Sequence, residues 1–256
     1  MHVDCVGEFH WQQQIAPVNR VIRTLPIYLA DPDLGRELRD EVEAMAKRML
    51  ISKAEPTAEL IGDRTPHTIE PVVLRGAPHI CIVRDGRDVL VSRVFHLYNN
   101  PDSHRVFKRF PDLEKLRQEF AADPWFFKNN PGELLNAEAV VRESARWWRK
   151  HLESDRKAIE KYPNLPVRVV KYEDLHANVE AEREKLFVFL GVKPNLAAKI
   201  KGHLKPGFGE ERPNEFLRKG TVGDWKNYFT DETKAWFKEE AGEELRLQGY
   251  VADGDW

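Results

Sequence analysis

Two short runs of apolar and β-branched residues stand out in the hydrophobic pattern of the chain. They are His79–Val83 and Val167–Lys171, and each is followed by polar residues. A short run rich in β-branched residues, bounded by polar ones, is typical of a buried strand in a parallel sheet. The pattern therefore predicts two buried parallel strands.

Helical periodicity follows each of the two runs. After the first run, apolar residues recur at three- and four-residue spacing through Tyr98, and Asp88 is the predicted N-cap. After the second run, a helix is predicted from Asn178 to Leu190, where Gly191 is placed to end it as a C-cap. Each strand is therefore predicted to lead into a helix.

Two further helices are predicted in the rest of the chain. One is long and amphipathic, from about Glu133 to Tyr162, and the other runs from Asp231 to about Gln248. Strands that alternate with helices predict an α/β fold, with an open parallel sheet flanked by helices in three layers. No repeat or linker interrupts residues 1–256, which are predicted to form one domain whose ligand binds beyond the carboxyl ends of the strands.

Composition narrows the function without identifying it. The 256 residues include 40 Lys+Arg and 42 Asp+Glu, so the formal net charge is −2, which argues against a general nucleic-acid binder. The content of 41% hydrophobic residues is typical of a globular protein and too high for a disordered one. Cys5 and Cys81 cannot form a disulfide framework and are predicted to be reduced thiols, without metal-ligand spacing to the nine histidines.

The sequence also bears on where the protein is expected to reside. No apolar stretch approaches the ~20 residues that span a bilayer. The first residues carry acids and glutamines where a signal peptide has an apolar core. We therefore expect a cytoplasmic protein without a membrane segment.

The segment that follows the first strand has the residues of an anion site. Arg84 stands at the predicted strand end, and Ser92 is predicted in the first turn of the helix, one turn beyond Asp88. A guanidinium and a hydroxyl beside exposed helix N–H groups suit a phosphate. The alternative is a cluster of surface ion pairs, in which Arg84 and Arg87 pair with the neighbouring carboxylates of Asp85 and Asp88.

The run from Arg218 to Thr230 contains the largest number of residues that suit an anion site. Arg218 and Lys219 precede Gly220, whose lack of a side chain permits an anion to approach the backbone closely. A second glycine and several aromatic residues then lead into the helix that starts near Asp231. The alternative interpretation of the central Gly-Asp-Trp is a plain turn with a buried tryptophan.

This run resembles, position for position, the RKGxxGDWKNxFT signature of sulfotransferases that use 3′-phosphoadenosine 5′-phosphosulfate (PAPS). The segment Arg84–Ser92 resembles the other 3′-phosphate motif of the same family, with the arginine and serine at matching spacing. Lys171–Leu175 resembles the family's YEDL strand-end segment. The three motifs occur in the family's order from about His79 to Thr230, and the resemblance implies the P-loop NTPase-like α/β fold of sulfotransferases.

The resemblance also implies a role for each matching residue. Those that would hold the 3′-phosphate of the donor are Arg84, Ser92, Arg218, Lys219 and Gly220. Tyr172 would lie near the adenine, with plain core packing as the alternative. PAPS would be the co-substrate, the acceptor would be a hydroxyl or an amine, and nothing in the family's scheme needs a metal.

One expected part of the family pattern is missing from the sequence. Sulfotransferases normally open with a strand and a Pro-Lys/Arg-Ser-Gly-Thr-Thr loop that wraps the 5′-phosphosulfate. No such segment is found, and His2–Phe9 resembles the stretch that follows the first helix in the family. The explanations left open are a misassigned or truncated start, which we expect, a degenerate protein, or another segment that replaces the loop. The alternative function is therefore a non-catalytic nucleotide-binding or interaction protein that keeps only the 3′-phosphate half-site.

Two residues are candidates for the base that deprotonates the acceptor. Glu8 lies in a glycine-glutamate pair that resembles the region of the base in tyrosylprotein-type enzymes. His67 follows a basic-Thr-Pro segment that resembles bacterial members, and its alternative is an ordinary loop histidine. Arg64 would then supply charge near the sulfonate.

The acceptor itself is predicted only as a class. A small molecule or a carbohydrate would fit the family, and a homodimer is one possible assembly. The aromatic residues of Phe107–Phe127 either line a hydrophobic acceptor site or fill a core.

Overall fold

The computed structural model describes residues 3–5, 17–18, 21, 24, 30–58, 60–62, 64, 68–69, 76–100, 103–192, 211–213, 219–252 and 256. The chain divides into two compact units, each assembled from three stretches. The first consists of Met1–Cys81, His151–Val170 and Val179–Leu196, and the second of Ile82–Lys150, Lys171–Asn178 and Ala197–Trp256.

The first unit begins with strand β1 (Val3–Cys5), which pairs in parallel with β2 (Leu60–Gly62). Between them lies helix α1 (Pro32–Ile51). This helix starts where it does because the Asp31 side chain accepts hydrogen bonds from the backbone N–H groups of the first turn, and proline occupies its first position.

The two predicted strands are confirmed as β3 (His79–Val83) and β4 (Val167–Lys171), which are hydrogen-bonded neighbours in a second sheet. Their predicted burial is wrong at Ile80, Ile82 and Val169, whose side chains are exposed. Helix α8 (Val179–Phe189) follows β4. Its predicted stop is also confirmed, because Gly191 has a positive φ of 68° and the following N–H bonds back to the carbonyl of Phe187 at 2.8 Å.

The second unit is mainly helical. Its helices are α2 (Gly86–Asn99), α3 (His104–Arg109), α4 (Pro111–Ala122), α5 (Phe126–Asn129), the first half of α6 (Glu138–Lys161), α7 (Tyr172–Ala177) and α9 (Asp231–Leu247), with 3₁₀ turns at Pro131–Glu133 and Asp224–Asn227. Strands alternating with helices make the α/β fold that the sequence predicted. The helix predicted at Asp231 is confirmed to within one residue at its end.

Three helix boundaries differ from the sequence prediction. Helix α2 starts at Gly86 because Asp85, not Asp88, is its N-cap and accepts a hydrogen bond from the N–H of Arg87. Ser92 therefore lies in the second turn of α2 rather than in the first. The other two differences are that α6 starts at Glu138, after a separate 3₁₀ turn, and that the YEDLHA segment forms its own short helix, α7.

Several aromatic residues between α2 and α6 pack into the core of the second unit, while Trp125 is exposed. Phe127 and Phe120 are buried with ring centres 5.2 Å apart, and both rings contact Phe95 and Tyr98. The adjoining cavity, lined largely by aliphatic side chains, has a volume of about 10 Å³, roughly the space of one water molecule. Of the two interpretations of this segment, the structure supports the core.

Two negative findings hold for the residues that the structure describes. None of the helices there is long and apolar enough to cross a membrane. Within the same ranges, no group of three or more His, Cys, Asp or Glu side chains is arranged to hold a metal ion.

Candidate functional site

Arg84, the first residue after β3, points its guanidinium at a loop 137 positions further along the chain. Its Nη2 donates a hydrogen bond to the carbonyl of Thr221 at 2.9 Å. The guanidinium carbon also lies 4.4 Å from the centre of the Tyr172 ring, a cation–π contact. The Nε of Arg84 is buried and has no hydrogen-bond partner among the described residues. Arg84 is thus fixed in place, and its side chain keeps 21% of its surface exposed.

Tyr172, the first residue after β4, reaches the same loop. Its hydroxyl donates to the carbonyl of Gly220 at 2.9 Å. Burial raises the pKa of Tyr172, and the positive charge of Arg84 acts in the opposite direction. The ends of both strands are therefore attached to two consecutive residues, Gly220 and Thr221.

The signature loop, Lys219–Asn227, takes its shape from two glycines and one carboxylate. Gly220 and Gly223 have positive φ values of 63° and 79°, which glycine adopts without strain. The side chain of Asp88 on α2 accepts hydrogen bonds from the N–H groups of Gly223 at 2.7 Å and Trp225 at 2.9 Å. Burial raises the pKa of Asp88, and these two hydrogen bonds offset part of that rise. The buried carboxylate of Asp88 thus attaches the signature loop to helix α2.

Lys219 forms an ion pair with a carboxylate of the signature loop. Its Nζ lies 2.9 Å from Oδ1 of Asp224, and Asn227 donates to the same oxygen at 2.9 Å. Glu211 is more distant, at 3.9 Å from the ammonium. The Lys219 side chain keeps 23% of its surface exposed, so its cation is held in position and remains accessible.

The two arginines of the segment after β3 have different roles. Arg87 forms a two-pronged ion pair with Asp85, at 2.9 and 2.7 Å, and both residues are buried. Arg84, by contrast, lies 3.7 Å from Asp88, whose oxygens accept the loop N–H groups instead. The ion-pair alternative therefore holds for both arginines, closely for Arg87 and at 3.7 Å for Arg84, with buried rather than surface carboxylates, and Arg84 in addition donates to the signature loop.

The other predicted site residues lie in several places. Arg84, Tyr172, Lys219 and Gly220 belong to the second unit, and the contacts above bring them together. Ser92 is exposed on α2, one turn beyond Asp88. Arg64 belongs to the first unit and is exposed. Glu8, His67 and Arg218 lie outside the described residues.

The sequence did not reveal how the strand ends are linked to the rest of the site. Glu173 accepts a hydrogen bond from the N–H of Asp85 at 2.9 Å and another from the hydroxyl of Tyr250 at 3.0 Å. Burial and the negative charge of Glu173 both raise the pKa of Tyr250. The strand-end position of Glu173 could have suggested a polar role. Nothing in the local pattern marks Tyr250, which is 77 residues away.

These features define a class before they define a family: an α/β protein in which an arginine, a lysine and a glycine-containing loop meet where two strands end. The family model for the sulfotransferase domain matches residues 66–249, and the chain belongs to the sulfotransferase domain family. That range includes every site residue that the structure brings together. It also supports the fold that the three sequence motifs predicted.

The curated relatives match only part of the chain. Sulfotransferase 1E1 of Bos taurus is 29% identical over 175 residues, which are 59% of this chain and 49% of that protein. The Cavia porcellus protein of the same name is 28% identical over 174 residues, with the same coverage. The chain thus matches about half the length of these curated relatives. Among solved structures, mouse sulfotransferase SULT7A1 complexed with PAP is 23% identical with a TM-score of 0.46, over 78% of this chain and 72% of that one.

Proposed function

We propose that the protein is a PAPS-dependent sulfotransferase, which moves a sulfuryl group from PAPS to a hydroxyl or amine acceptor. The observation that carries the proposal is the meeting of three separate motifs at Gly220 and Thr221, through the side chains of Arg84 and Tyr172. Membership in the sulfotransferase domain family supports it.

The residues proposed to hold the 3′-phosphate of the donor are Arg84, Ser92, Arg218, Lys219 and Gly220, with Tyr172 near the adenine. Two observations fit a phosphate there. The cationic side chains of Arg84 and Lys219 keep 21% and 23% of their surfaces exposed, and Gly220 offers a backbone without a side chain in the way. The donor, when bound, supplies the sulfuryl group. Fixed cations and N–H dipoles are then available for the negative charge that develops on the leaving phosphate, and the proposal includes no metal.

On the acceptor side, the proposal rests on the sequence. Glu8 and His67 are the candidate bases, and Arg64 is the candidate cation near the sulfonate. The acceptor is proposed as a small molecule or a carbohydrate, the location as cytoplasmic and a homodimer as one possible assembly. The family match supports treating residues 1–256 as a single domain, because it includes stretches of both compact units.

Binding of adenosine 3′,5′-bisphosphate tests the donor half of this proposal by calorimetry. We expect Arg84→Ala to weaken binding by about tenfold or more, since it removes a charge-assisted contact worth roughly 1.5–3 kcal/mol. The matched control is Arg109→Ala, because Arg109 is 68% exposed and contacts Glu143 and the Phe110 ring rather than the signature loop. Wild-type affinity should survive in the control. Folded wild-type protein that binds no bisphosphate would refute the proposal.

Transfer of labelled sulfate from PAPS to a panel of phenols, sugars and amines tests the catalytic half. Turnover with any member is the expected result, and Glu8→Gln or His67→Ala should abolish it while donor binding is kept. Binding without transfer to any acceptor would favour the non-catalytic nucleotide-binding alternative.

A further inference from the structure

The second unit contains an aromatic clamp that the proposed reaction does not use. The clamp consists of the Arg87 guanidinium and the indole rings of Trp225 and Trp256, whose planes stand nearly perpendicular to each other, at 88°. The guanidinium carbon lies 4.0 Å from the centre of the Trp225 ring and 4.7 Å from that of the Trp256 ring. Arg87 is only 5% exposed.

The charge of Arg87 is fully committed inside the protein. Asp85 takes two of its N–H groups, and the carbonyl of Tyr250 lies 3.5 Å from Nη2. A buried guanidinium that is paired in this way and contacts two indole rings is not available to a ligand. Its contacts instead hold the two rings in position.

One side of the clamp belongs to the signature loop. Trp225 donates its backbone N–H to Asp88, and its neighbour Asp224 holds the ammonium of Lys219. A shift of the Trp225 ring would therefore move a hydrogen bond that shapes the loop and the carboxylate that positions a phosphate-binding cation.

Trp256 closes the other side of the clamp from far along the chain. Its ring lies edge-on to Trp225 at 5.8 Å and also contacts Phe229 and Phe237 at 6.3 and 6.1 Å. Its indole Nε1 is buried and has no hydrogen-bond partner among the described residues. Packing of the ring, rather than a hydrogen bond, is thus what Trp256 contributes.

We propose that Trp256 is a positioning residue of the anion site: by packing on Arg87 and Trp225, it fixes the signature loop, and with it the affinity for the 3′-phosphate of a nucleotide. The second half of this statement rests on the proposed function. The first half concerns only the loop and stands without a ligand.

The test compares the full-length chain with Trp256→Ala, Trp256→Leu and Trp256→Phe. Leucine keeps apolar volume against Phe237 but offers no aromatic face to Arg87, whereas phenylalanine keeps a smaller aromatic face and lacks the unused N–H. Trp125→Ala is the matched control, since Trp125 is 41% exposed and lies outside the clamp. Circular dichroism at low temperature verifies that each variant is folded.

Hydrogen exchange of peptides covering residues 219–228 reads the loop directly. The Ala and Leu variants should exchange these amides at least about tenfold faster than wild type, while the Phe and Trp125 variants match wild type. Calorimetry with adenosine 3′,5′-bisphosphate should show a fivefold or greater loss of affinity in the same two variants and rescue by phenylalanine.

The outcomes separate the two proposals. Unchanged exchange in a folded Leu or Ala variant overturns the role of Trp256, whatever the nucleotide does. Faster exchange with unchanged nucleotide affinity overturns its effect on the 3′-phosphate. Wild-type protein that fails to bind the bisphosphate refutes the proposed function, while the exchange result still decides whether Trp256 positions the loop.

Discussion

At the scale of single residues, the environment of a side chain decides its chemistry more than its type does. Asp88 illustrates this. The sequence pattern predicts that it is an N-cap, but in the fold its carboxylate accepts hydrogen bonds from two backbone N–H groups of the signature loop. Asp85, three positions earlier, is the cap instead. Both are aspartates near a helix start, and what distinguishes them is that the signature loop, far along the chain, contacts Asp88. A rule based on local spacing cannot include that contact.

Cys81 on β3 leads to a prediction about pH. Burial, and secondarily the negative charge of Asp155, raises the pKa of this thiol to about 12. At pH 8 about one molecule in 10⁴ would then carry the thiolate, so labelling should be roughly 10³-fold slower than for an ordinary thiol. Ellman's reagent on a Cys5→Ser variant measures this, with the unfolded chain as control. Rapid labelling of the folded protein would contradict the prediction.

The same shift determines how stability depends on pH. Between the ordinary thiol pKa and about 12, the unfolded chain loses the Cys81 proton and the folded chain keeps it. The folded state therefore binds more protons, and its free energy of unfolding falls as the pH rises through this window. Comparison with Cys81→Ala isolates the contribution, because the alanine variant lacks this part of the slope.

At the scale of elements, the sequence predicts the strands and the longer helices well and their ends less well. Apolar runs and helical periodicity located β3, β4 and α9, because burial and periodicity are recorded along the chain itself. The starts of α2 and α6 depend on which backbone groups find partners. Some of those partners are distant in sequence, so the predicted starts of α2 and α6 differ from the observed ones by several residues.

Packing between two elements gives a prediction at Gly86, the first residue of α2. A Cβ at this position would lie 2.6 Å from the indole of Trp148 on α6, too close for any real contact. The indole is held in place, since its Nε1 donates to the carbonyl of Arg84 at 3.2 Å. Gly86→Ala should therefore lower the free energy of unfolding by about 1–3 kcal/mol, as overpacked cores do.

Urea unfolding of Gly86→Ala beside Gly132→Ala makes the comparison. A Cβ at Gly132 would meet its nearest neighbour at 3.8 Å, an ordinary contact, so this variant should stay close to wild type. Equal stability of the two variants would show that α2 and α6 can separate at Gly86 without cost.

At the scale of the whole molecule, the sequence predicted the family and a set of candidate site residues better than it predicted the contacts among them. Arg84, Lys219 and Gly220 were recognisable because three motifs resemble one family in one order, and the family match agrees with it. The counter-charge of Asp224, the Glu173–Tyr250 link and the Trp256 contact were not predicted. Each joins residues with no shared local pattern, and only the folded chain brings them together.

Charge at this scale yields the last prediction. The chain carries a net charge of −2, so attraction of an anion must come from the local cations of the site and not from an overall positive field. Adenosine 3′,5′-bisphosphate at a hundred times its dissociation constant should stabilise the protein by about 2.7 kcal/mol, through binding to the folded state alone. For a chain of this size, that corresponds to a rise in Tm of roughly 5–10 °C.

Heparin, a polyanion without the nucleotide's shape, should give no rise in Tm at 150 mM salt, and the Arg84→Ala variant should lose most of the rise with the bisphosphate. Differential scanning fluorimetry measures all three, and an equal rise with heparin would mean that a general basic surface, rather than the site at Gly220 and Thr221, binds the anion.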